Sequence, residues 1–260
     1  MPIRKAVILA AGKGTRFFSF SKTLPKEMAV VGGKPIIEHT VKLLQVCGIS
    51  DILIILNPKK KAILSDVRST QWKGIRISYQ FQKNPNGTAK AVNLARSYVG
   101  KESFVVIYGD NYIESKNSIS EIMAFHVKNN VDATLLLQYS KEFEGLGLVK
   151  IDELGKILKI AEKPTRIEAS SLKRGNEYLC VAGLHVLKPD IFGFIDRTKP
   201  GSNGETWLTD SVELMRESGH NVMGIVSKTR VLDIGTGEKL QEARALVNKI
   251  PLRTIEKCAL

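Results

Sequence analysis

The sequence has few cysteines and no apolar run long enough to cross a membrane. A membrane helix needs ~20 apolar residues in a row, and no run in these 260 residues approaches that length, so we expect no membrane partner. The three cysteines, Cys47, Cys180 and Cys258, form no CxxC pair and no zinc-spaced cluster with histidine. This pattern predicts reduced cysteines in a cytoplasmic protein, with Cys47 and Cys180 packed in the core.

Histidine is also scarce, and its placement argues against histidine catalysis. The four histidines include no HExxH motif and no close pair. His126 lies on the apolar side of a predicted helix and His185 in a predicted strand, so we expect core or boundary packing for both. Internal repeats, low-complexity tracts and linkers are absent, which predicts a single domain over residues 1–260. The apolar run near the start leads into a glycine loop and predicts a core strand, not a signal peptide.

Acidic residues are outnumbered by basic ones, and the formal net charge is +13 with a pI of about 9.6. A basic chain attracts anions, and nucleic acid is one class of anion. The basic residues are spread along the whole length, however, and the one compact run, residues 59–61, has no aromatic residues between its lysines. We therefore predict a solvated face for that run and no nucleic-acid partner. The excess charge favours an anionic small substrate.

The first half of the chain alternates between apolar, β-branched runs and segments with helical spacing. The runs predict strands at residues 6–10, 52–56, 75–80, 104–108 and 133–137. Apolar residues at helical intervals predict helices at residues 35–46, 88–98 and 118–127. Such alternation predicts an α/β fold, in which helices cover both faces of a mostly parallel sheet.

The second half has a different pattern, with shorter strands separated by turns. Strands are predicted at residues 148–151, 157–161 and 178–187, and helices at residues 207–217 and 238–248. Between these helices we predict a strand pair around residues 222–226 and 231–234. The stretch 199–204 is rich in proline, glycine and asparagine, which predicts a mobile loop.

The stretch VILAAGKGTRF, at residues 7–17, is the most specific in the chain. Gly12 and Gly14 fit the start of a dinucleotide-binding GxGxxG motif, but Phe17 stands where the third glycine belongs. The lysine and Ser/Thr of a Walker loop are also missing. Glycines at these positions still let backbone N–H groups approach phosphate oxygens closely. With Arg16 and Lys26 nearby, the loop predicts a phosphate-containing ligand.

Motifs along nearly the whole chain resemble those of the sugar-1-phosphate nucleotidyltransferases, above all the glucose-1-phosphate uridylyl- and thymidylyltransferases. In order, the motifs are GKGTR at 12–16, PKEM at 25–28, KPII at 34–37, NPNG at 84–87, YGDN at 108–111, GLV at 147–149, EKP at 162–164, VAGL at 181–184, GETWLTD at 204–210 and LDIGT at 232–236. The resemblance implies a Rossmann-like three-layer α/β/α fold of the glycosyltransferase-A type. It also implies a nucleotide-binding half (1–140), a sugar-phosphate-binding half (141–235) and a C-terminal helix (236–260).

The family reaction joins a sugar 1-phosphate to a nucleoside triphosphate and releases pyrophosphate. The sugar phosphate is already anionic at neutral pH, because the second pKa of a phosphate monoester is about 6, so no general base is required. Two anions must meet, which calls for charge neutralisation. The resemblance places Mg²⁺, the expected cofactor, on Asp110 and Asp233, and carboxylate oxygens are ligands that this ion prefers.

The resemblance also implies the roles of further residues. Arg16 and Lys26 would act on the triphosphate, and Lys163 would hold the sugar phosphate, so these three are the expected catalytic residues. The expected nucleotide-binding residues are Ala10, Ala11, Gly12, Gly14, Thr15, Gln82, Gly87 and Asp110. Those expected to bind the sugar phosphate are Gly147, Glu162, Lys163, Val181 and Glu205.

Some positions depart from the family pattern, so the motifs do not identify the sugar or the nucleotide. Leu146 stands where tyrosine is frequent, Val231 where tryptophan is frequent and Thr88 where leucine is common. The Gln82 amide suits a uracil or thymine edge, which favours UTP or dTTP and does not separate them. The alternative function is a non-catalytic regulatory protein that binds nucleotide sugars on the same fold. A homo-oligomer is possible by resemblance alone.

Overall fold

The computed structural model describes residues 2–14, 17, 21, 24–201 and 204–249. Its strands are β1 Lys5–Ala10, β2 Val30–Val31, β3 Lys34–Pro35, β4 Asp51–Leu56, β5 Arg76–Phe81, β6 Phe104–Tyr108, β7 Asn111–Ile113, β8 Ala133–Ser140, β9 Gly147–Ile151, β10 Ile157–Glu162, β11 Lys173–Arg174, β12 Glu177–Leu187, β13 Val222–Val226 and β14 Val231–Asp233. Its helices are α1 Ile36–Val46, α2 Lys61–Ser69, α3 Thr88–Asn93, α4 Arg96–Val99, α5 Lys116–Asn129, α6 Arg166–Ser171, α7 Ile191–Arg197, α8 Leu208–Glu217 and α9 Gly237–Lys249.

A mixed ten-stranded sheet forms the centre of the molecule, with the main order β10-β9-β12-β6-β1-β4-β5. Strands β6, β1, β4 and β5 run parallel to one another, as predicted for the first half of the chain. The long strand β12 pairs antiparallel with β6, β8 and β9 and so joins the second half to the same sheet. The α/β class and the mixed sheet expected from the sequence are therefore confirmed.

Two hydrophobic cores cover the two faces of this sheet. Along β1, Val7 and Leu9 pack in one core, whereas Ala6, Ile8 and Ala10 pack in the other. Successive side chains of a strand point to opposite faces, so an unbroken apolar run such as KAVILA fits a strand buried on both sides. The helices supply the outer layers, and the continuous apolar strand runs of the sequence follow from that arrangement.

Several local predictions need correction. Residues 88–98 form two short helices, α3 and α4, because the N–H groups of Leu94 and Ala95 donate to carbonyls only three residues back and tighten the turn. Strands β13 and β14 do not pair with each other, since β13 adds to β8 in parallel and β14 pairs with β7. The helices α2, α6 and α7 were not predicted from the sequence.

The lysine run at residues 59–61 is not simply a solvated face. A turn in which the Lys60 N–H donates to Asn57 O, 2.9 Å away, precedes α2. The Lys60 side chain points inward and its ammonium lies 2.5 Å from a carboxylate oxygen of Glu27. Lys60 is only 9% exposed, so this part of the prediction was wrong.

Cysteines and histidines lie mostly as expected. Cys180 is buried, whereas Cys47 is half-buried against the core, and Cys258 lies outside the described residues. His126 and His185 are both buried, which confirms their predicted core packing. The predicted mobile loop at 199–204 includes Ser202 and Asn203, which are outside the described residues. Within the part of the chain that the structure describes, no helix is both long and apolar enough to span a membrane.

Candidate functional site

A cavity of 480 Å³ lies at the carboxyl ends of β1 and β6 and extends to β9, β10 and β12. In an open α/β sheet, ligands bind at this edge. The predicted site residues that line the cavity are Ala11, Gly12, Gly14, Lys26, Gln82, Gly87, Asp110, Gly147, Glu162, Lys163, Val181, Glu205 and Asp233. Ala10 is buried at the end of β1 and does not line the cavity. Thr15 and Arg16 lie outside the described residues.

The glycine loop borders the nucleotide side of the cavity. Gly14 has a φ of +67°, a backbone conformation that side chains larger than glycine rarely adopt. The loop follows β1 directly, so its backbone is exposed to the cavity at the point where the buried strand ends. Glycine at position 14 is therefore required by the turn itself, whatever ligand the loop holds.

Two aspartates meet in the cavity beside the carboxyl end of β6. Asp110 follows β6, and Asp233 ends β14, which pairs with β7 so that Asp233 lies opposite Asn111. The Ile234 N–H donates to the Asp110 carbonyl, 3.0 Å away, and Asp233 lies close enough to Asp110 to affect its pKa. The chain thus brings carboxylates from two distant segments to the same point. Among the described residues, no third Asp, Glu, His or Cys joins them to form a larger metal-binding group.

Lys26 sits against this acidic pair. Its ammonium makes an ion pair with Asp110, and it extends from the 3₁₀ turn Lys26–Met28. Burial acts to lower the pKa of Lys26, but the charges of Asp110 and Asp233 outweigh burial and raise that pKa. Burial likewise acts to raise the pKa of Asp110, and the neighbouring ammonium holds it below its usual value. Lys26 and Asp110 are therefore both charged when the pair is formed, in a part of the cavity with little solvent access.

The end of the cavity beside β10 contains Glu162, the last residue of that strand. Its Oε2 accepts a hydrogen bond from the Thr209 hydroxyl, 2.7 Å away, and burial raises its pKa. A Cβ atom on Gly147 would lie 2.7 Å from that same oxygen, so a larger residue there would displace the carboxylate. This end can accept hydrogen bonds from hydroxyl groups of a ligand.

Lys163 is held in an unusual backbone conformation beside Glu162. Its φ is +44°, which is uncommon for a residue other than glycine, and its N–H donates to the Leu146 carbonyl at 3.0 Å. The ammonium lies 3.6 Å from the centre of the Trp207 ring and 4.0 Å from Glu205 Oε2. Backbone strain of this kind is frequent at functional sites. The strained backbone and the ring together aim this cation into the cavity.

Hydrogen bonds join the Gln82–Gly87 segment to the loop that carries Glu205. The Thr206 N–H donates to Asn86 O at 2.9 Å, and Thr206 O accepts from the Ala89 N–H at 3.0 Å. Gly87 has a φ of +112°, and a Cβ there would lie 2.1 Å from Thr206 O. The Gln82 amide nitrogen donates to Asn86 Oδ1 at 3.1 Å and to Gly87 O at 3.3 Å. The two halves of the cavity are therefore tied together by backbone contacts.

Several further residues line the cavity and were not assigned a role from the sequence, among them Glu27, Asn111 and Trp207. Glu27 is almost completely buried and paired with Lys60. Asn111 is buried, and its amide nitrogen donates to Ala182 O at 2.8 Å. Glu27 and Asn111 stand directly after Lys26 and Asp110 in the PKEM and YGDN motifs, which is the signal that could have identified them.

A family model described as "Nucleotidyl transferase" matches residues 5–250 of the chain. Among the relatives, a glucose-1-phosphate thymidylyltransferase of Xanthomonas campestris is 29% identical over 256 residues, which cover 97% of this chain and 83% of the relative. A putative UTP–glucose-1-phosphate uridylyltransferase of Methanocaldococcus jannaschii is 32% identical over 259 residues. The match covers 90% of this chain and 89% of that protein. Both relatives carry the names of the two enzyme groups that the sequence motifs resemble.

Two further comparisons concern length and fold. A low-salt glycan biosynthesis nucleotidyltransferase of Haloferax volcanii is 29% identical over 244 residues, and the match spans 94% of this chain but only 66% of that protein. The crystal structure of a UDP-glucose pyrophosphorylase complexed with UDP-glucose superposes with a TM-score of 0.84 at 26% identity, over 95% of this chain and 99% of the other. The sequence match and the shared fold point to the same group of enzymes.

Proposed function

The chain belongs to the nucleotidyl transferase family, and on that premise we propose that it transfers the nucleotidyl group of UTP or dTTP to glucose 1-phosphate. The products would be the nucleotide sugar and pyrophosphate. Both nucleotides remain candidates because relatives named uridylyltransferase and thymidylyltransferase match the chain with similar identity. As a member of an enzyme family, the chain is a transferase, and the regulatory alternative has no observation in its favour.

The observation that carries the proposal is the arrangement of charge in one cavity. The acidic pair and Lys26 form one charged group, and Lys163 and Glu162 form a second one. A nucleoside triphosphate and a sugar phosphate are both anions, so each group offers a cation to one of them. Because both groups line the same space, two ligands can lie side by side for reaction.

We propose Mg²⁺ as the cofactor, held by Asp110 and Asp233. The two carboxylates fit this ion because they are hard oxygen donors that the pairing of β14 with β7 brings together, so both can face one cation. With only two carboxylates from the described residues, oxygens of water and ligand would complete the site. When bound, Mg²⁺ would supply positive charge to the reacting phosphates.

The protein groups act by position and charge. An oxygen of the sugar phosphate forms a bond to the α-phosphorus, and the bond from that phosphorus to the leaving pyrophosphate breaks. Lys163 holds the attacking phosphate, while Lys26, together with Arg16, stabilises negative charge on the triphosphate and the leaving group. No proton is removed from the nucleophile, so no side chain needs to act as a base.

Gln82 is the residue that we propose to contact the base. Its amide nitrogen already has partners in the protein, at Asn86 and Gly87. Its carbonyl oxygen is then the atom that would accept a hydrogen bond from the ring N–H of uracil or thymine. This contact would serve both bases equally, which agrees with the proposal of either UTP or dTTP.

Pyrophosphate release tests the proposal. The wild type and Asp233→Asn are assayed with MgCl₂, UTP, dTTP, ATP, CTP and GTP, and a panel of sugar 1-phosphates. We expect turnover with UTP or dTTP and glucose 1-phosphate, and a loss of about 100-fold or more in Asp233→Asn. Asp190→Asn, a change at an exposed aspartate, is the matched control and should keep full activity. Equal rates in the wild type and Asp233→Asn for every pair would contradict the proposal.

A further inference from the structure

A second cavity lies on the outer side of α2, beside the end of the edge strand β5. We call it the outer groove, and its principal residues are Lys60, Lys61, Leu64, Arg68, Phe81 and Lys83. Its volume is 780 Å³, within the range of roughly 300–1,000 Å³ that is usual for small-molecule sites. The proposed transfer reaction uses none of these residues.

Three of the four cations that line the outer groove have no acidic neighbour. Lys61, Arg68 and Lys83 are exposed, and among the described residues no carboxylate lies within ion-pair distance of any of them. No Asp or Glu in the described part of the chain lines the groove either. The three charges therefore converge on one space without internal neutralisation. Such an arrangement favours a ligand with more than one negative charge.

Two of the cations are held in place by other groups. The Arg68 guanidinium lies 5.2 Å from the centre of the Tyr79 ring, which limits its motion. Lys60 is nine-tenths buried at the back of the groove, where its ammonium is 2.5 Å from Glu27 Oε1. Because Glu27 lines the main cavity, this ion pair forms a wall that the two cavities share. The groove thus has fixed parts and is more than a patch of flexible lysines.

An aromatic ring lies beside these charges. Phe81 ends β5 and is 44% exposed, which is unusual for so large an apolar side chain. The next residue, Gln82, lines the main cavity. Consecutive side chains at the end of this strand therefore line different cavities, Phe81 the outer groove and Gln82 the main cavity. Leu64 adds a further apolar surface to the groove. An exposed ring next to several cations suits a ligand with both a planar group and phosphates.

We propose that the outer groove is a second binding site for nucleoside phosphates. The phosphates would contact Lys61, Arg68 and Lys83, and the base would stack on Phe81. A nucleoside triphosphate and a nucleotide sugar share this chemistry. The site is distinct from the proposed catalytic cavity, and its ligand needs no divalent ion from the acidic pair.

Calorimetry at equilibrium tests this site. UDP-glucose and UTP are titrated separately, without divalent ions, into the wild type, into Lys61→Glu/Arg68→Glu and into Lys101→Glu/Lys141→Glu. The last variant makes the same charge change at exposed lysines elsewhere and is the matched control. We expect two UDP-glucose molecules per chain in the wild type and in the control, and one in Lys61→Glu/Arg68→Glu. A tighter second site for UTP than for UDP-glucose would identify the substrate as its ligand, and the reverse order would identify the product.

Phe81→Ala separates the ring contact from the charges. Stacking on an aromatic side chain contributes roughly 1–3 kcal/mol per base, so the second site should bind UDP-glucose at least about 5-fold more weakly. Its affinity for inorganic triphosphate, which has no base, should stay the same. Equal loss for both probes would contradict the assigned role of Phe81.

The stoichiometry also separates this proposal from the proposed function. A single wild-type site that Lys26→Met removes and Lys61→Glu/Arg68→Glu leaves intact would overturn the outer-groove site. A single site that Lys61→Glu/Arg68→Glu removes would support the groove and count against the catalytic cavity instead. Two sites that survive in Lys61→Glu/Arg68→Glu would also overturn the proposal.

Discussion

Lys26 and Lys163, which both line the main cavity, are held in different ways. Lys26 is mostly buried and fixed by charge, in an ion pair with Asp110. Lys163 has a side chain that is 41% exposed and is fixed by a strained backbone and by the face of Trp207. The first lysine is neutralised before any ligand arrives, whereas the second remains accessible to solvent. This contrast suits Lys26 to stabilise charge that develops during reaction, and Lys163 to capture an incoming anion.

Replacing Lys26 should have the largest effect on turnover. We expect Lys26→Met to lower kcat by about 100- to 1,000-fold, the range for loss of one group that stabilises charge in a transition state. The KM for the sugar phosphate should change little, because Lys163, and not Lys26, is the lysine proposed to hold that phosphate. Steady-state kinetics with both substrates varied gives the two constants. Lys34→Met, at an exposed lysine in β3, is the control and should be unaffected.

Replacing Lys163 should mainly weaken capture of the sugar phosphate. A charge-assisted hydrogen bond contributes about 1.5–3 kcal/mol, so Lys163→Met should raise the KM for glucose 1-phosphate by roughly 10- to 100-fold. The KM for the triphosphate should stay within about 2-fold. If Lys163→Met instead lowered kcat alone, and Lys26→Met raised KM alone, the roles assigned to the two lysines would have to be exchanged.

Trp207 should have a smaller effect through its contact with Lys163. A cation–π contact contributes ~0.5–1 kcal/mol at an accessible site, so Trp207→Leu should raise the KM for glucose 1-phosphate by roughly 2- to 5-fold. Trp207→Phe keeps an aromatic face and should recover most of that loss. In a Lys163→Met background, Trp207→Leu should add nothing. Full additivity of the two changes would show that the ring acts independently of the lysine.

The carboxyl groups of Glu162 and Asp110 should respond to pH in opposite directions. Burial raises the pKa of Glu162, so the stability that it adds is present below its ordinary pKa and is lost as pH rises through the raised value. Urea unfolding from pH 4 to 8 should therefore show the wild type losing stability relative to Glu162→Gln as the pH increases. The pKa of Asp110 is lowered by Lys26, so its contribution is lost as pH falls. A wild type that gains stability over Glu162→Gln with rising pH would contradict this account.

The sequence predicts the position of Asp110 better than it predicts the contacts and conformations of the lysines around the cavity. Asp110 could be placed because it follows an apolar strand, and the carboxyl ends of parallel strands meet at one edge. The contact between Lys60 and Glu27 could not be predicted, because three consecutive lysines resemble a solvated face. Lys60 is buried only because it meets Glu27, which lies in the turn Lys26–Met28, more than thirty residues earlier in the chain. The positive φ of Lys163 could not be predicted either. Residues other than glycine disfavour this backbone conformation, and here the pairing of β9 with β10 imposes it.

The long-range ties between the halves were also beyond sequence reasoning. The sequence predicts Gly87 as a nucleotide-binding residue. In the structure a larger side chain at this position would collide with the backbone of Thr206, which lies more than a hundred residues later in the chain. Glycine at this position alone cannot reveal which backbone approaches it. The motifs gave the residues of the cavity, and the tertiary contacts give the reasons for their conformations.

A crystal structure with UDP-glucose tests the central claim most directly, because the claim is that one cavity holds both parts of the product. The account predicts the uracil ring at Gln82, the glucose at Glu162, and the phosphate on the glucose within hydrogen-bond distance of Lys163 Nζ. It would be contradicted if the cavity bound the nucleotide with its glucose pointing away from Lys163 and Glu162.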